Sequence, residues 1–133
     1  MNLNFHYVTR SEIHGIRKYY STNETLYIVQ IDGKTIRNLN EYLKEISTQF
    51  QFPIPTKGLD GYLDWMRDLS WLKKDGYVLI IDNYSDFLSE DFKNKDCILK
   101  IFDEDLIPWW EFDVKKHVVD GHAKTFKVYL VEN

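Results

Sequence analysis

A chain of 133 residues that is 44% hydrophobic and 16% aromatic carries enough apolar surface for one packed domain, which excludes an intrinsically disordered segment. Its 21 acidic against 17 basic side chains give a formal charge of -4, so it lacks the basic footprint of a nucleic-acid binder and better suits a basic protein partner. A lone cysteine, Cys97, rules out an intrachain disulfide and fits a reducing cytoplasm, while apolar runs too short to span a bilayer and an N-terminus without a signal pattern predict neither membrane insertion nor secretion.

Residues 1–24 carry little pattern. Phe5 to Val8 has the composition of a short strand, and Tyr19-Tyr20-Ser21-Thr22-Asn23 reads as a turn or linker. Three placements are open to this N-terminal extension: a strand added at a sheet edge, a cover over the helices, or self-association. The domain boundary is drawn so that 1–24 packs on the same domain as 25–133.

From Leu26 the chain is legible. Leu26 to Ile31 is β-branched and aromatic and ends at the turn pair Asp32-Gly33. Asn38 followed by Glu41 predicts a capping box, and Leu39, Tyr42, Leu43, Ile46 and Phe50 form the apolar face of the helix it opens. Pro53 and Pro55 end that helix. Residues 59–72 are then predicted as a second helix, with Tyr62, Trp65, Met66 and Leu69 on one side and Asp60, Asp64, Arg67 and Asp68 on the other. Leu59 and Leu63 fall on the shoulder between the two faces.

Lys73 to Gly76 is a polar turn, and Tyr77 to Ile81 shows no alternation, as expected of a strand covered on both faces. Residues 85–105 predict one or two helices, the better one from Cys97 to Phe102. Pro108 is placed to start a further helix carrying Trp109, Trp110, Phe112 and Val114. Asp120-Gly121 turns into a last strand, Thr125 to Val131, with Phe126, Val128 and Leu130 on one side. Strands alternating with helices predict an α/β fold: a small three-stranded parallel sheet packed by helices.

Chemistry concentrates on the acidic helix. A like-charge i,i+4 pair such as Asp60 and Asp64 costs an isolated helix roughly 0.2–0.5 kcal/mol, and only Asp60, in the first turn, gains from the helix dipole. Carboxylates rimmed by leucines suit a cationic site, whereas a solvated helix face is the commoner meaning of such charges. His117 and His122 flank Asp120-Gly121 without a third clear ligand, so no metal site is predicted and no cofactor is implied. Cys97, in an apolar neighbourhood, is expected to be a buried structural thiol. Trp65 and Trp71 are expected in the core, and Trp109 and Trp110 cannot both face inward. No phosphate-binding glycine loop or hydrolase motif is present, so no enzyme is predicted.

Taken together, Val29-Gln30-Ile31-Asp32-Gly33-Lys34-Thr35-Ile36, the helix ending before Phe52-Pro53, the run from Leu59 to Leu72, and the strands at Tyr77 and Thr125 resemble the barstar family of intracellular ribonuclease inhibitors. The run 59–72 is similar to that family's N-[LW]-D-A-x-x-D-x-L-x-D-L-x-W-L helix. The resemblance covers about residues 25–131 and implies a barstar-like fold and a bacterial, cytoplasmic inhibitor that is a monomer when free. Its implied partner is a secreted ribonuclease or related toxin with a basic active site. By motif position it implies Asp60 and Asp64 as the inserted carboxylates, Leu59, Leu63 and Arg67 as flanking contacts, and Gly58 where Asn is usual. Glu104 is implied as a third acidic contact, with Asp103 and Asp105 as alternatives in that register. The stretch Ile54-Pro55-Thr56-Lys57-Gly58 lacks the aromatic that family members often place there, and Leu63 stands where Trp is common. Two alternatives follow from these departures: an immunity protein to a different toxin, or an interaction module that kept the fold without ribonuclease inhibition.

Overall fold

Strand Gly76–Asp82, an uninterrupted apolar run buried from Gly76 through Ile81, forms the axis of the fold in a computed structural model that describes residues 4–117 and 121–132. It lies in a four-stranded, wholly parallel sheet made of β1 (Phe5–Val8), β2 (Leu26–Asp32), β3 (Gly76–Asp82) and β4 (Thr125–Val131), in the order β1-β4-β3-β2. The three strands expected from the sequence are therefore joined by a fourth from the N-terminal extension, whose Phe5 pairs with Val128 and Val8 with Val131.

The segment expected to be a linker is helical. Helix α1 (Arg10–Ser21) begins at a complete capping box: Thr9 Oγ1 accepts from the Glu12 amide and Glu12 Oε1 accepts from the Thr9 amide, both at 3.1 Å. Ile13, Ile16 and Tyr20 share its inner face and pack on Val78, Ile80, Tyr129 and Val131. The opposite sheet face, carrying Val29, Ile31, Leu79, Ile81, Phe126, Val128 and Leu130, packs beneath the remaining helices. Crossing the sheet from β1 to β2 and returning through β3 to β4 places helices on both faces, giving three layers.

Helix α2 (Leu39–Gln49) buries Tyr42, Leu43 and Ile46 as the periodicity predicts, with Phe50 buried at its C-cap and Leu39 half-buried. Its cap differs from the expected box. Asn38 Oδ1 does accept from the Glu41 amide at 3.0 Å, but the Glu41 carboxylate reaches past Asn38 to the Arg37 amide. Helix α3 (Leu59–Met66) is shorter than the 59–72 expected. Leu69 is fully buried with φ 51, in the left-handed region, and a 3-10 turn (Ser70–Leu72) follows.

Helix α4 (Phe92–Ile101) runs on through a π-helical stretch (Phe102–Leu106) and a second one (Trp109–Asp113) into α5 (Val114–His117). Pro108 thus lies inside one continuous helical run and does not start a new helix. In an α-helix its ring would collide with the carbonyl four residues back, and the wider i→i+5 turns, seen in Ile107 N–H to Phe102 O and Val114 N–H to Trp109 O, relieve that crowding. Cys97 on α4 is half-buried, not buried as expected. Asp120 of the expected Asp120-Gly121 turn lies outside the described residues, as does the side chain of His117.

Candidate functional site

Helix α3 enters from Gly58, whose backbone is extended and which supplies no side-chain cap. The Thr56 hydroxyl folds back on this glycine, donating to Gly58 O at 2.9 Å and accepting from the Gly58 amide at 3.4 Å. The same threonine lies directly against Gly61, where any side chain would strike it, so the loop and the first helical turn are in close contact. Tyr62 and Met66 are fully buried, and the Tyr62 hydroxyl meets the Tyr42 hydroxyl of α2 at 2.7 Å. Burial pushes the Tyr42 and Tyr62 phenols well above their ordinary range. Trp65 packs edge-on against Trp71, with ring centroids 5.4 Å apart.

The far end of α3 is held by two indoles. Trp110 Nε1 donates to Met66 O and Trp109 Nε1 to Arg67 O, each at 2.9 Å. These carbonyls belong to the last turn of the helix, where no intrahelical donor remains for them. The expectation that the two tryptophans cannot both face inward is met by a division: Trp110 is buried and Trp109 half-buried, yet both anchor α3.

On the outer side, Asp60 and Asp64 are exposed, and neither has a hydrogen bond or ion pair among the described residues. Leu59 and Leu63 are half-buried beside them and pack partly on the main core. Asp68 is not part of this face: the helix has ended, and its carboxylate accepts from the Ser70 amide at 3.2 Å. Arg67 is also not free. Its Nε and one terminal nitrogen form a two-pronged pair with Asp105, at 2.9 and 2.5 Å, and its guanidinium lies 5.8 Å from the centre of the Trp109 ring.

That pair sorts the acidic run 103–105. Asp103 accepts from Asn4 Nδ2 at 2.6 Å, Asp105 is bound to Arg67, and Glu104 is exposed without an ion pair among the described residues. Glu104, Asp105, Asp113, Arg67 and Trp109 surround a shallow hollow of about 400 Å³ next to α3. Sequence reasoning missed Asp105, Trp109 and Asp113 as neighbours of Arg67. The three residues come from the π-helical stretches, whose register an α-helical period does not give.

Residues 26–129 match the family described as Barstar (barnase inhibitor). The chain belongs to the barstar family. No curated protein and no solved structure matches it. The barstar match spans β2 to most of β4 and leaves β1 and α1 outside it. It also contains the whole of α3 and the loop before it, so the exposed acidic pair lies within the barstar portion. No helix among the described residues is long and apolar enough to cross a membrane, and no group of three or more His, Cys, Asp or Glu side chains there is placed to hold a metal ion.

Proposed function

We propose that this barstar-family chain inhibits a bacterial ribonuclease inside the cell that makes it, with Asp60 and Asp64 inserted into the enzyme's cationic active site in place of substrate phosphates. The observation that carries the reading is the state of these two carboxylates. They stand exposed and four residues apart on a helix fixed from below and at its C-terminal end, with no ion pair among the described residues to neutralise them. A partner's arginines and lysines would relieve the repulsion between them and form short, charge-assisted hydrogen bonds. Leu59 and Leu63 supply apolar contact beside the carboxylates, the Gly58 backbone lets the partner approach, and Glu104 offers a third acidic contact. Arg67 serves by holding Asp105, and with it the Glu104 segment, against α3. Opposite potentials on the two surfaces also speed association.

Barnase is the probe for this reading. The purified chain is expected to block barnase cleavage of a fluorogenic RNA, and Asp60→Ala with Asp64→Ala to weaken inhibition by about 10²–10⁴-fold. That range follows from about 1.5–3 kcal/mol for each charged hydrogen bond removed. A double variant that folds and inhibits as well as the parent would refute the assignment.

One observation favours a second reading, an immunity protein to a different toxin. The loop before α3 presents Ile54, 66% exposed, where barstar relatives often carry an aromatic, and Leu63 stands where Trp is common. On that reading barnase is untouched, while protection of cells from the cognate toxin still depends on Asp60 and Asp64.

A further inference from the structure

The crevice at the carboxyl ends of β2 and β3 is unused by the proposed inhibition. One wall is α1, whose Arg10, His14 and Arg17 recur at i, i+4 and i+7 and so share a face. The other wall is formed by the ends of the strands, where Asp32 and Asp82 are register partners, and by Lys34 in the turn after β2. The hollow measures about 440 Å³, within the range that small-molecule sites occupy.

Charge in this hollow is held apart. Arg10 donates to Asn83 Oδ1 at 2.9 Å, and Asn83 Nδ2 donates to Asp32 Oδ1 at 2.8 Å. Arg17 donates to Gln30 Oε1 at 3.0 Å, and Gln30 Nε2 donates to Asp82 Oδ2. In both relays an amide separates the guanidinium from the carboxylate. None of Arg10, His14, Arg17 and Lys34 is in an ion pair among the described residues, and Arg17 Nε is buried without a hydrogen-bond partner. Hydrogen bonds from Asn83 and the Lys34 amide keep the Asp32 carboxyl below its usual range, hence ionised. A latch fastening α1 to the sheet would need neither Lys34 nor His14, and would gain from placing each arginine directly on its carboxylate.

The location agrees with this chemistry. Open parallel sheets bind ligands in the crevice outside the carboxyl ends of their strands. Arg10, His14 and Arg17 on one wall with Lys34 facing them across the hollow, and the carboxylates of Asp32 and Asp82 as hydrogen-bond acceptors beside them, match a ligand that carries both a phosphate and hydroxyls. Among the residues lining the hollow, none is Phe, Tyr or Trp, so a nucleobase finds no stacking platform.

We propose that this crevice binds a sugar phosphate, with the phosphate held by Arg10, His14, Arg17 and Lys34 and the sugar hydroxyls donating to Asp32 and Asp82. Arg10, His14 and Arg17 lie outside the residues matched to the barstar family, so the site is a property of the N-terminal extension joined to the barstar core. It is separate from α3 and stands whatever α3 binds.

Isothermal titration of the full chain with ribose 5-phosphate tests it. Saturable one-to-one binding with Kd below about 1 mM is expected, with inorganic phosphate at least about tenfold weaker. Lys34→Ala and His14→Ala, both outside the two relays, should each weaken binding about tenfold or less while leaving the melting temperature without ligand unchanged, and Lys34→Arg should retain it. Lack of saturation by about 10 mM, inorganic phosphate binding as tightly as the sugar phosphate, or binding indifferent to Lys34→Ala and His14→Ala combined would each overturn the proposal.

Discussion

The hydroxyl pair joining α2 to α3 gives a sharp test of how the acidic helix is held. Tyr42 and Tyr62 are both fully buried, and their hydroxyls meet at 2.7 Å with the rings edge-on at 5.6 Å. Tyr62→Phe removes that bond and leaves the Tyr42 hydroxyl buried without its partner, at a cost of about 1–3 kcal/mol, and Tyr42→Phe does the same in reverse. Replacing both removes the bond but leaves no stranded polar group, so the double variant should be nearly neutral and lose at most about 1 kcal/mol. The two single losses therefore exceed the double loss, and the cycle should give a coupling of about 1 kcal/mol or more. Urea denaturation followed by tryptophan fluorescence measures it, and each kcal/mol corresponds to about 3–5 °C in melting temperature at this chain length. Single losses that add to the double loss within about 0.5 kcal/mol would refute the reasoning, because the hydroxyls would then act independently.

Stability should decline in alkali. Burial, helped by the charges of Asp68 and Asp75, pushes the Tyr77 phenol up to about 12, and burial also raises Tyr42 and Tyr62. Between about pH 10 and 12 the folded chain thus holds protons that the unfolded chain has released, so the stabilisation is complete below pH 10 and falls as pH rises. For Tyr77 alone the loss reaches about 2–3 kcal/mol by pH 12, and a urea midpoint unchanged between about pH 9 and 11.5 would contradict it. Gly58→Asn should stabilise the chain by about 0.2–0.5 kcal/mol in thermal melts, since the extended backbone there suits a capping side chain and nothing lies within 4 Å of an added Cβ. Arg67→Ala should cost about 1–2 kcal/mol in urea denaturation, a value moderated by the partial exposure of both partners, and Arg67→Lys should not restore it because an ammonium cannot make the two-pronged contact with Asp105.

What the sequence made legible and what it did not divide along a physical line. Strand β3 and the inner face of α2 were readable because burial is written directly into unbroken or periodic apolar runs, as in Tyr77 to Ile81 and Leu39 to Phe50. Helix α1 was hidden by two adjacent tyrosines that read as a linker, although Thr9 and Glu12 carried the capping signal that marks its start. The end of α3 was not readable, because Leu69 takes a left-handed conformation that leucine does not favour by itself and that its complete burial fixes. Pro108 reads as a helix start wherever the turns around it are α-helical, and here they are π-helical. At the candidate site the exposed pair Asp60 and Asp64 was visible as a spacing. The engagement of Arg67 by Asp105, 38 residues away, was not, since it depends on how two segments pack.

The helical run from Phe92 to His117 connects these points. An isolated eight-residue helix is too short to be stable in water, and a like-charge pair weakens it further. Nothing in residues 59–66 supplies the missing stability beyond Tyr62, Met66 and the partly buried apolar side chains. The remainder arrives from outside: Trp109 and Trp110 occupy the carbonyls at its C-terminal end, and Asp105 holds the Arg67 that follows. The π-helical stretches permit this, because they place Asp105 before Pro108 and Trp109 and Trp110 after it without breaking the helical run. On the proposed reading, a partner meeting Asp60 and Asp64 would find them already ordered, and binding would forgo the entropic cost of immobilising a mobile helix. Removing the two indole bonds with Trp109→Phe and Trp110→Phe should therefore weaken inhibition without touching either carboxylate.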